Sequence, residues 1–312
     1  MTSLDALATA RTPARPGPGP LPETILRALD VVIGRRVDSL LAGDYRSSIL
    51  GVGTELAQVR PYEPGDDVRR IDWNVTARTQ VPHVRVQLAE RVLVTWLVLD
   101  VSASMEFGTA ERRKADVAEG VALAVGHIAT RRGNRLGVVT FGGAEDVTLP
   151  PRSGRVGLLG VLRAVRETAP AADGTTTLGA ALARAGAAAR QRALVAVVSD
   201  FRGGTGEGRP PWRDPLLRLA ARHDVLAVEI RDPREQELPD VGRLWLVDPE
   251  TGRRLHVETR SRRLRERFAA AAAAERTAVA RTIASVGAAH AVLSTDGDWL
   301  RRLVAALGRR PR

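Results

Sequence analysis

The sequence predicts an α/β protein with an open, mostly parallel, doubly wound sheet and a small N-terminal β-rich unit. Two short apolar segments rich in β-branched residues, 92–99 and 193–199, are typical of strands buried on both faces. From residue 92 onward such segments alternate with amphipathic helical patterns, as a parallel sheet with helices on both faces requires. Each of the two segments also runs directly into an oxygen-rich loop.

Composition limits the classes of protein that need to be considered. The chain has 312 residues, 44% of them hydrophobic, which suits one large and one smaller folded domain. The absence of cysteine excludes disulfides, thiolate metal sites and cysteine nucleophiles, and it fits a reducing compartment. The sequence contains neither an apolar run of about 18 residues nor the pattern of a secretion signal. We therefore expect a cytoplasmic protein without a membrane span.

The net charge of +11 raises the question of a nucleic-acid or other acidic partner. Nearly all of the positive charge is arginine, Lys114 being the one lysine of the chain. The arginines are spread along the sequence and form no basic block interleaved with aromatic residues. This distribution disfavours nucleic-acid binding, which stays open as an alternative.

The N-terminal part divides into a tail and a small unit. Residues 1–22 carry a Pro/Gly cluster without periodicity, which predicts a disordered tail. From Glu23, apolar residues spaced by three and four predict an amphipathic helix that stops near Gly43. The short alternating segments that follow predict β structure. We assign 23–91 to this helix and β-rich unit, and 92–312 to the large domain.

A charged turn, residues 60–78, lies within the small unit, with a tight turn predicted at 63–66. Its ionisable residues are Arg60, Glu63, Asp66, Asp67, Arg69, Arg70, Asp72 and Arg78. One interpretation is a salt-bridged surface turn in which Trp73 fills the core of the unit. The other is a partner-binding face that includes Asp66, Asp67, Asp72 and Arg78. The sequence leaves both interpretations open.

In the large domain the hydrophobic period changes repeatedly between that of a strand and that of a helix. Gly133-Asn134 and similar signals mark where helices stop. The predicted helices are 111–132, 156–168, 178–190, 215–222, 264–285 and 299–307. The predicted strands are 92–99, 135–141, 193–199, 225–230 and 289–293, with a short edge strand at 146–149 and a hairpin of 244–247 with 254–258.

Oxygen-bearing side chains occur where the predicted strands end. Ligands of such sheets bind beyond the carboxyl ends of the strands, at the topological switch point. Carboxylate and hydroxyl oxygens are the ligands that Mg²⁺ and Mn²⁺ prefer. Each loop alone also fits an ordinary helix cap or turn, but their order on this scaffold favours a metal site. The predicted metal ligands are Asp100, Ser102, Ser104, Thr175 and Asp200.

Such a site could serve a binding module or a metal-dependent phosphoester hydrolase. Hydrolysis needs an activated water and usually a nearby base. The five histidines are scattered without the spacing of metal ligands, and neither a GxxxxGK[ST] phosphate loop nor a Gly-x-Ser-x-Gly nucleophile motif occurs. We therefore expect a protein-binding module rather than an enzyme and keep the hydrolase as the alternative.

Several of these motifs together resemble a known family. Its marks are RPYEPGDDVRRIDW at 60–73 followed by Ala77-Arg78, LDVSASM at 99–105, SDF at 199–201 and DPRE at 232–235. The predicted ligand set resembles the metal-ion-dependent adhesion site of von Willebrand factor A domains. The pattern as a whole, over about residues 45–300, is more similar to the bacterial domain of unknown function 58 family.

The resemblance implies a von Willebrand A-type fold, to which the small β-rich unit is an addition. It also implies a partnership with a MoxR-type AAA+ ATPase that matures or activates other proteins. A Glu or Asp offered by a partner or client protein would then complete the coordination of the metal.

Overall fold

A computed structural model describes residues 16–43, 55–88, 94–131, 134–168, 177–202, 208–248 and 252–308. The chain forms two compact units. The larger unit comprises Met1–Arg35 and Leu93–Arg312, and the smaller comprises Arg36–Val92. The start of the first predicted helix therefore belongs to the larger unit.

The described residues form ten strands and eight α-helices. The strands are β1 (Glu55–Pro61), β2 (His83–Leu88), β3 (Val94–Asp100), β4 (Arg135–Phe141), β5 (Thr148–Ser153), β6 (Leu194–Ser199), β7 (Asp224–Arg231), β8 (Arg243–Val247), β9 (Arg254–Glu258) and β10 (Ala289–Ser294). The helices are α1 (Glu23–Gly43), α2 (Trp73–Thr79), α3 (Lys114–Arg131), α4 (Gly154–Glu167), α5 (Leu178–Ala188), α6 (Arg213–Ala220), α7 (Arg262–Ser285) and α8 (Trp299–Gly308).

The main sheet of the larger unit has six strands in the order β10-β7-β6-β3-β4-β5. All neighbours run parallel except β5, which pairs antiparallel with β4 at one edge. The predicted open, mostly parallel, doubly wound sheet is therefore confirmed. Along the chain, β4 and β5 are added on one side of β3, and β6, β7 and β10 are then added on its other side. The switch point of the sheet thus lies between β3 and β6.

Every residue of β3 and of β6 is buried, as their unbroken apolar sequences predict. Because side chains alternate along a strand, Trp96 and Val98 face the core that α5, α6 and α7 cover. The opposite face of the sheet is covered by α3, α4 and α8. Each fully buried aliphatic side chain contributes roughly 1.5–3 kcal/mol, so the two central strands rigidly fix the loops that follow them.

The edge strand β5 begins two residues later than the predicted segment and ends four residues later. It contains Pro150 and Pro151, which a central strand could not accommodate because proline cannot donate a ladder hydrogen bond. An edge position removes that difficulty. No α-helix in the described part of the chain is both long and apolar enough to cross a bilayer.

In the smaller unit, β1 and β2 form an antiparallel pair, which confirms the predicted β-rich character. The short helix α2 lies between them in sequence and was not predicted. The interpretation of Trp73 as the filling of a core is wrong, because its side chain is 70% exposed. Asp72 caps α2, so Trp73 becomes the first helical residue, and Val84 is buried instead.

Candidate metal centre

The candidate metal centre lies at the carboxyl edge of the sheet, at the switch point between β3 and β6. Leu99 pairs with Val198, so the next residues, Asp100 and Ser199, end the two strands side by side. The Ser199 hydroxyl donates a hydrogen bond of 2.6 Å to Oδ2 of Asp100. The structure thus brings the ends of the two buried strands into direct contact.

The Asp100 loop, residues 100–106, arranges three of the predicted ligands in a row. Oδ1 of Asp100 accepts hydrogen bonds from the backbone N–H of Ser102 at 3.0 Å and from its hydroxyl at 2.5 Å. The hydroxyls of Ser102 and Ser104 are 3.0 Å apart. A one-turn 3₁₀ helix, Ala103–Glu106, turns the chain so that the alternating side chains point to the same place.

A glycine that sequence reasoning did not single out shapes this loop. Gly142 follows β4 with a φ of +78°, a conformation that favours glycine. A Cβ atom there would lie 2.6 Å from Cβ of Ser102. The Gly-Gly pair directly after a buried strand was the sequence signal for this close approach.

Asp200 has a different partner, one that was not foreseen. Its Oδ2 accepts a hydrogen bond of 2.7 Å from Nζ of Lys114, and its Oδ1 accepts one from the backbone N–H of Arg202. The same ammonium donates to Oε1 of Glu235, also at 2.7 Å. Lys114 is fully buried. Asp200 is therefore held by an internal cation, and only its remaining lone pairs can face a metal or a metal-bound water.

The surroundings of the two aspartates shift their pKa values in opposite directions. Burial, followed by the negative charge of Asp200, raises the pKa of Asp100 to about 7, although hydrogen bonds from Ser102 and Ser199 favour its ionised form. Burial also opposes the ionisation of Asp200, but Lys114 outweighs it and holds the pKa of Asp200 below its usual value. Asp200 and Lys114 thus form a buried ion pair next to Asp100.

The donor set suits a hard cation that keeps several waters. Among the described residues, no group of three or more His, Cys, Asp or Glu side chains could hold a metal by itself. The oxygens brought together are one carboxylate and two hydroxyls, and the carboxylate of Asp200 is near enough to affect the pKa of Asp100. This set fits Mg²⁺ or Mn²⁺ and not a zinc-type His/Cys set. Thr175, the remaining predicted ligand, lies outside the described residues.

The 232–235 motif supports the neighbouring network. Asp232 is fully buried and caps the one-turn helix Pro233–Glu235, while its backbone N–H donates to Glu235. Its carboxylate also accepts hydrogen bonds from Thr109 and Thr295. Asp232 therefore joins three segments of the chain and fixes Glu235, which in turn holds Lys114.

The carboxylates of the charged turn form hydrogen bonds and ion pairs with other residues of the smaller unit. Asp66 forms a bidentate pair with Arg60, at 2.7 and 2.8 Å, and Asp67 caps a one-turn helix. Asp72 caps α2 and pairs with Arg85 at 2.9 Å. Arg78 donates to the carbonyl of Asn74. These contacts favour the salt-bridged turn over a partner face made by Asp66, Asp67 and Asp72.

We expect the Asp72 contacts to make the smaller unit sensitive to acid. The hydrogen bond from Arg85, followed by that from the N–H of Val75, lowers the pKa of Asp72. A lowered pKa in the folded state means stabilisation at neutral pH that is lost as the pH falls below the ordinary aspartate value of about 4. Hydrogen exchange of the β1 and β2 amides, corrected for intrinsic rates, should show lower protection at pH 3 than at pH 6.

Asp72→Asn should reduce this protection already at neutral pH and make it nearly independent of pH. Asp67→Asn is the matched control, because Asp67 caps a single turn of 3₁₀ helix and has no arginine partner among the described residues. Equal effects of the two substitutions would contradict the assignment of Asp72 as the anchor of this unit.

The sheet order, with its one antiparallel edge strand, and the Asp-x-Ser-x-Ser loop after its first strand define an α/β protein of the von Willebrand factor A-like class. Within that class, the chain belongs to the family described as "Protein of unknown function DUF58", whose profile matches residues 58–278. It is 43% identical over 290 residues to "Uncharacterized protein Rv1480" of Mycobacterium tuberculosis, an alignment that covers 92% of this chain and 89% of the relative.

Two solved structures are similar to this chain at low sequence identity. BatB from Bacteroides thetaiotaomicron is 16% identical with a TM-score of 0.46, and the match covers 69% of this chain and 97% of BatB. The SpRpn10 VWA domain is 14% identical with a TM-score of 0.38, and the match covers 69% of this chain and 94% of that domain. Similarity at this level supports no conclusion about function.

Proposed function

We propose that the protein is a metal-dependent protein-binding module. In this proposal Asp100, Ser102 and Ser104 hold Mg²⁺ or Mn²⁺, with contributions from Asp200 and Thr175. The observation that supports it most is the hydrogen-bonded row of Asp100, Ser102 and Ser104 at the switch point of the sheet. A bound Mg²⁺ retains exchangeable waters, one of which a carboxylate of a partner protein can replace.

The contacts of the site favour binding over hydrolysis. A hydrolase needs a base free to take a proton from water. Lys114, Asp200 and Glu235 are tied to one another, and the second oxygen of Asp100 accepts from Ser199. Because these groups already form hydrogen bonds with one another, they are poorly placed to take a proton from water. The same hydrogen bonds make the site rigid, which suits repeated association with a partner.

The partner that we propose is a MoxR-type AAA+ ATPase, with client proteins recruited through the same assembly. This part of the proposal rests on the family to which the chain belongs and on the absence of a GxxxxGK[ST] phosphate loop in its own sequence. The energy for any remodelling of clients would then come from the partner and not from this chain.

Metal binding is the first test. We expect isothermal titration of the full chain with MgCl₂ to show saturable binding, and Asp100→Ala to weaken it by at least about 100-fold, because a ligand is lost. Asp214→Ala is the control, since that carboxylate is exposed and, among the residues that the structure describes, pairs with its neighbour Arg213. Far-UV circular dichroism establishes that both variants are folded. Equal affinities of wild type and Asp100→Ala would contradict the proposed site.

The second test concerns the partner. A MoxR-type ATPase encoded in the same genome should be retained by the immobilised wild-type chain in Mg²⁺, without nucleotide, and released by EDTA. Asp100→Ala should fail to retain it, while Asp214→Ala should behave as wild type. Retention that is independent of both metal and Asp100 would show that recognition lies elsewhere on the protein.

A further inference from the structure

The β8–β9 hairpin carries several exposed apolar side chains. It forms a two-stranded sheet of its own, apart from the main sheet. Val241, Trp245, Val247 and Leu255 in and beside it are between 54% and 60% exposed. Trp245 and Val247 lie on one face of the hairpin and Leu255 on the other. An isolated two-stranded hairpin is marginal in water, and apolar side chains exposed on both of its faces suit an interaction site.

The base of the hairpin is firmly held, so this exposure does not come from a loose attachment. The buried hydroxyl of Thr259 donates to the carbonyl of Gly242 and accepts from the N–H of Val241. Arg265 of α7 forms an ion pair with Asp240 and donates to the carbonyl of Thr259. The two strands therefore project from a fixed base.

The register shows which backbone groups are free at the outer edge of β9. The N–H of Asp248 donates to the carbonyl of Arg253, and the N–H of Thr259 donates to that of Gly242. Hydrogen-bonded and non-hydrogen-bonded pairs alternate along an antiparallel ladder, so Leu255 and Val257 direct their backbone groups toward β8. Residues 254, 256 and 258 direct theirs outward, and no other strand of the described residues pairs with that edge.

The side chains along this edge are complementary to themselves. Strand β9 reads Arg254-Leu-His-Val-Glu258. Consider a second copy of β9 that runs antiparallel to the first, with the two-fold axis at His256. Arg254 of each copy then lies opposite Glu258 of the other copy. Leu255 and Val257 likewise lie opposite each other. The free N–H and C=O groups of residues 254, 256 and 258 are then the ones that would pair.

We propose that β9 pairs with β9 of a second copy of this chain, which gives a two-fold symmetric dimer with a four-stranded sheet in the order β8-β9-β9-β8. Charged residues on an edge strand ordinarily deter pairing. Here the two opposite charges are placed symmetrically about the centre, so the symmetric antiparallel register turns both into attractive cross-strand pairs.

The side chains along the outer edge of β8 are not complementary to themselves in this way. Strand β8 reads Arg243-Leu-Trp-Leu-Val247, so self-pairing about Trp245 would place Arg243 opposite Val247 twice. Pairing through β9 also joins the apolar faces of two hairpins, since Leu244 and Leu246 lie across from Val257 and Leu255. The charges and the apolar pattern therefore indicate the same edge and the same partner.

The symmetry gives a sharp test by charge reversal. In Arg254→Glu, two Glu–Glu pairs replace the attractive ones in the homodimer, and in Glu258→Arg two Arg–Arg pairs do so. Each variant alone should self-associate about tenfold or more weakly than wild type in sedimentation velocity. An equimolar mixture should recover the dimer, because the heterodimer restores both Arg–Glu pairs.

Arg263→Glu on the exposed surface of α7 is the control for the change in net charge, and it should dimerise as wild type does. All samples are run in EDTA, so the result does not depend on the metal site. A wild-type chain that stays monomeric at high micromolar concentration would overturn the proposal. A dimer that the single variants leave intact, or that the mixture fails to restore, would overturn it as well.

Discussion

Replacing Lys114 with methionine should lower the free energy of unfolding by about 3–5 kcal/mol. The ammonium is fully buried and is the shared partner of Asp200 and Glu235, each at 2.7 Å. Methionine matches the length of the side chain but leaves the buried carboxylate of Asp200 without the ammonium, while Glu235 keeps the longer contact with Arg202 at 3.4 Å. Denaturant unfolding followed by circular dichroism measures the loss.

Two comparisons separate this effect from a general sensitivity of the protein to substitution. Arg163→Ala removes one partner of an ion pair that is 76% and 63% exposed, and it should cost less than about 1 kcal/mol. Adding Glu235→Gln and Asp200→Asn to Lys114→Met should recover part of the loss, since the stranded charges are removed. A Lys114→Met protein as stable as wild type would mean that the two carboxylates find other partners.

The sequence could predict the sheet because its signals are local. The apolar runs of β3 and β6 and the oxygen-rich residues directly after them lie within a few positions of one another. The parallel arrangement then follows from the alternation with helices, and it brings Asp100 next to Ser199. The predicted sheet is therefore confirmed, while the metal site at its edge stays a prediction.

The role of Lys114 could not be predicted because its partners are distant in sequence. Asp200 lies 86 positions away and Glu235 lies 121 positions away. Read locally, Lys114 is a charged residue near the start of a helix, and its uniqueness in the chain was the one available signal. A similar limit applies to Trp73, whose exposure depends on where Asp72 starts a helix of only seven residues.

The two distant contacts change how the candidate site is understood. The sequence suggests that Asp200 is free to serve as a second acidic ligand, whereas the structure ties it to Lys114. The ammonium of Lys114 also donates a hydrogen bond to Glu235, and Glu235 accepts one from the backbone N–H of Asp232. The metal centre that we propose is therefore supported by a buried polar network that reaches the far side of β7, and the network can be tested without any metal.

Asp232→Asn should cost about 2–4 kcal/mol of unfolding free energy although it removes no heavy atom. One carboxylate oxygen accepts from the backbone N–H of Thr109 and the other from that of Arg234. Neither N–H can rotate, so either orientation of the asparagine amide places its NH₂ group against a donor. The hydroxyls of Thr109 and Thr295, which also donate to Asp232, can adapt and do not relieve this conflict.

Denaturant unfolding again provides the measurement, and two variants calibrate it. Thr295→Val removes one adaptable donor and should cost about 1 kcal/mol, while Asp240→Asn alters an exposed carboxylate and should stay within about 0.5 kcal/mol of wild type. If Asp232→Asn is no more costly than Asp240→Asn, the carboxylate does not need both oxygens as acceptors. The 232–235 motif would then have to be explained by something other than the support of Glu235 and Lys114.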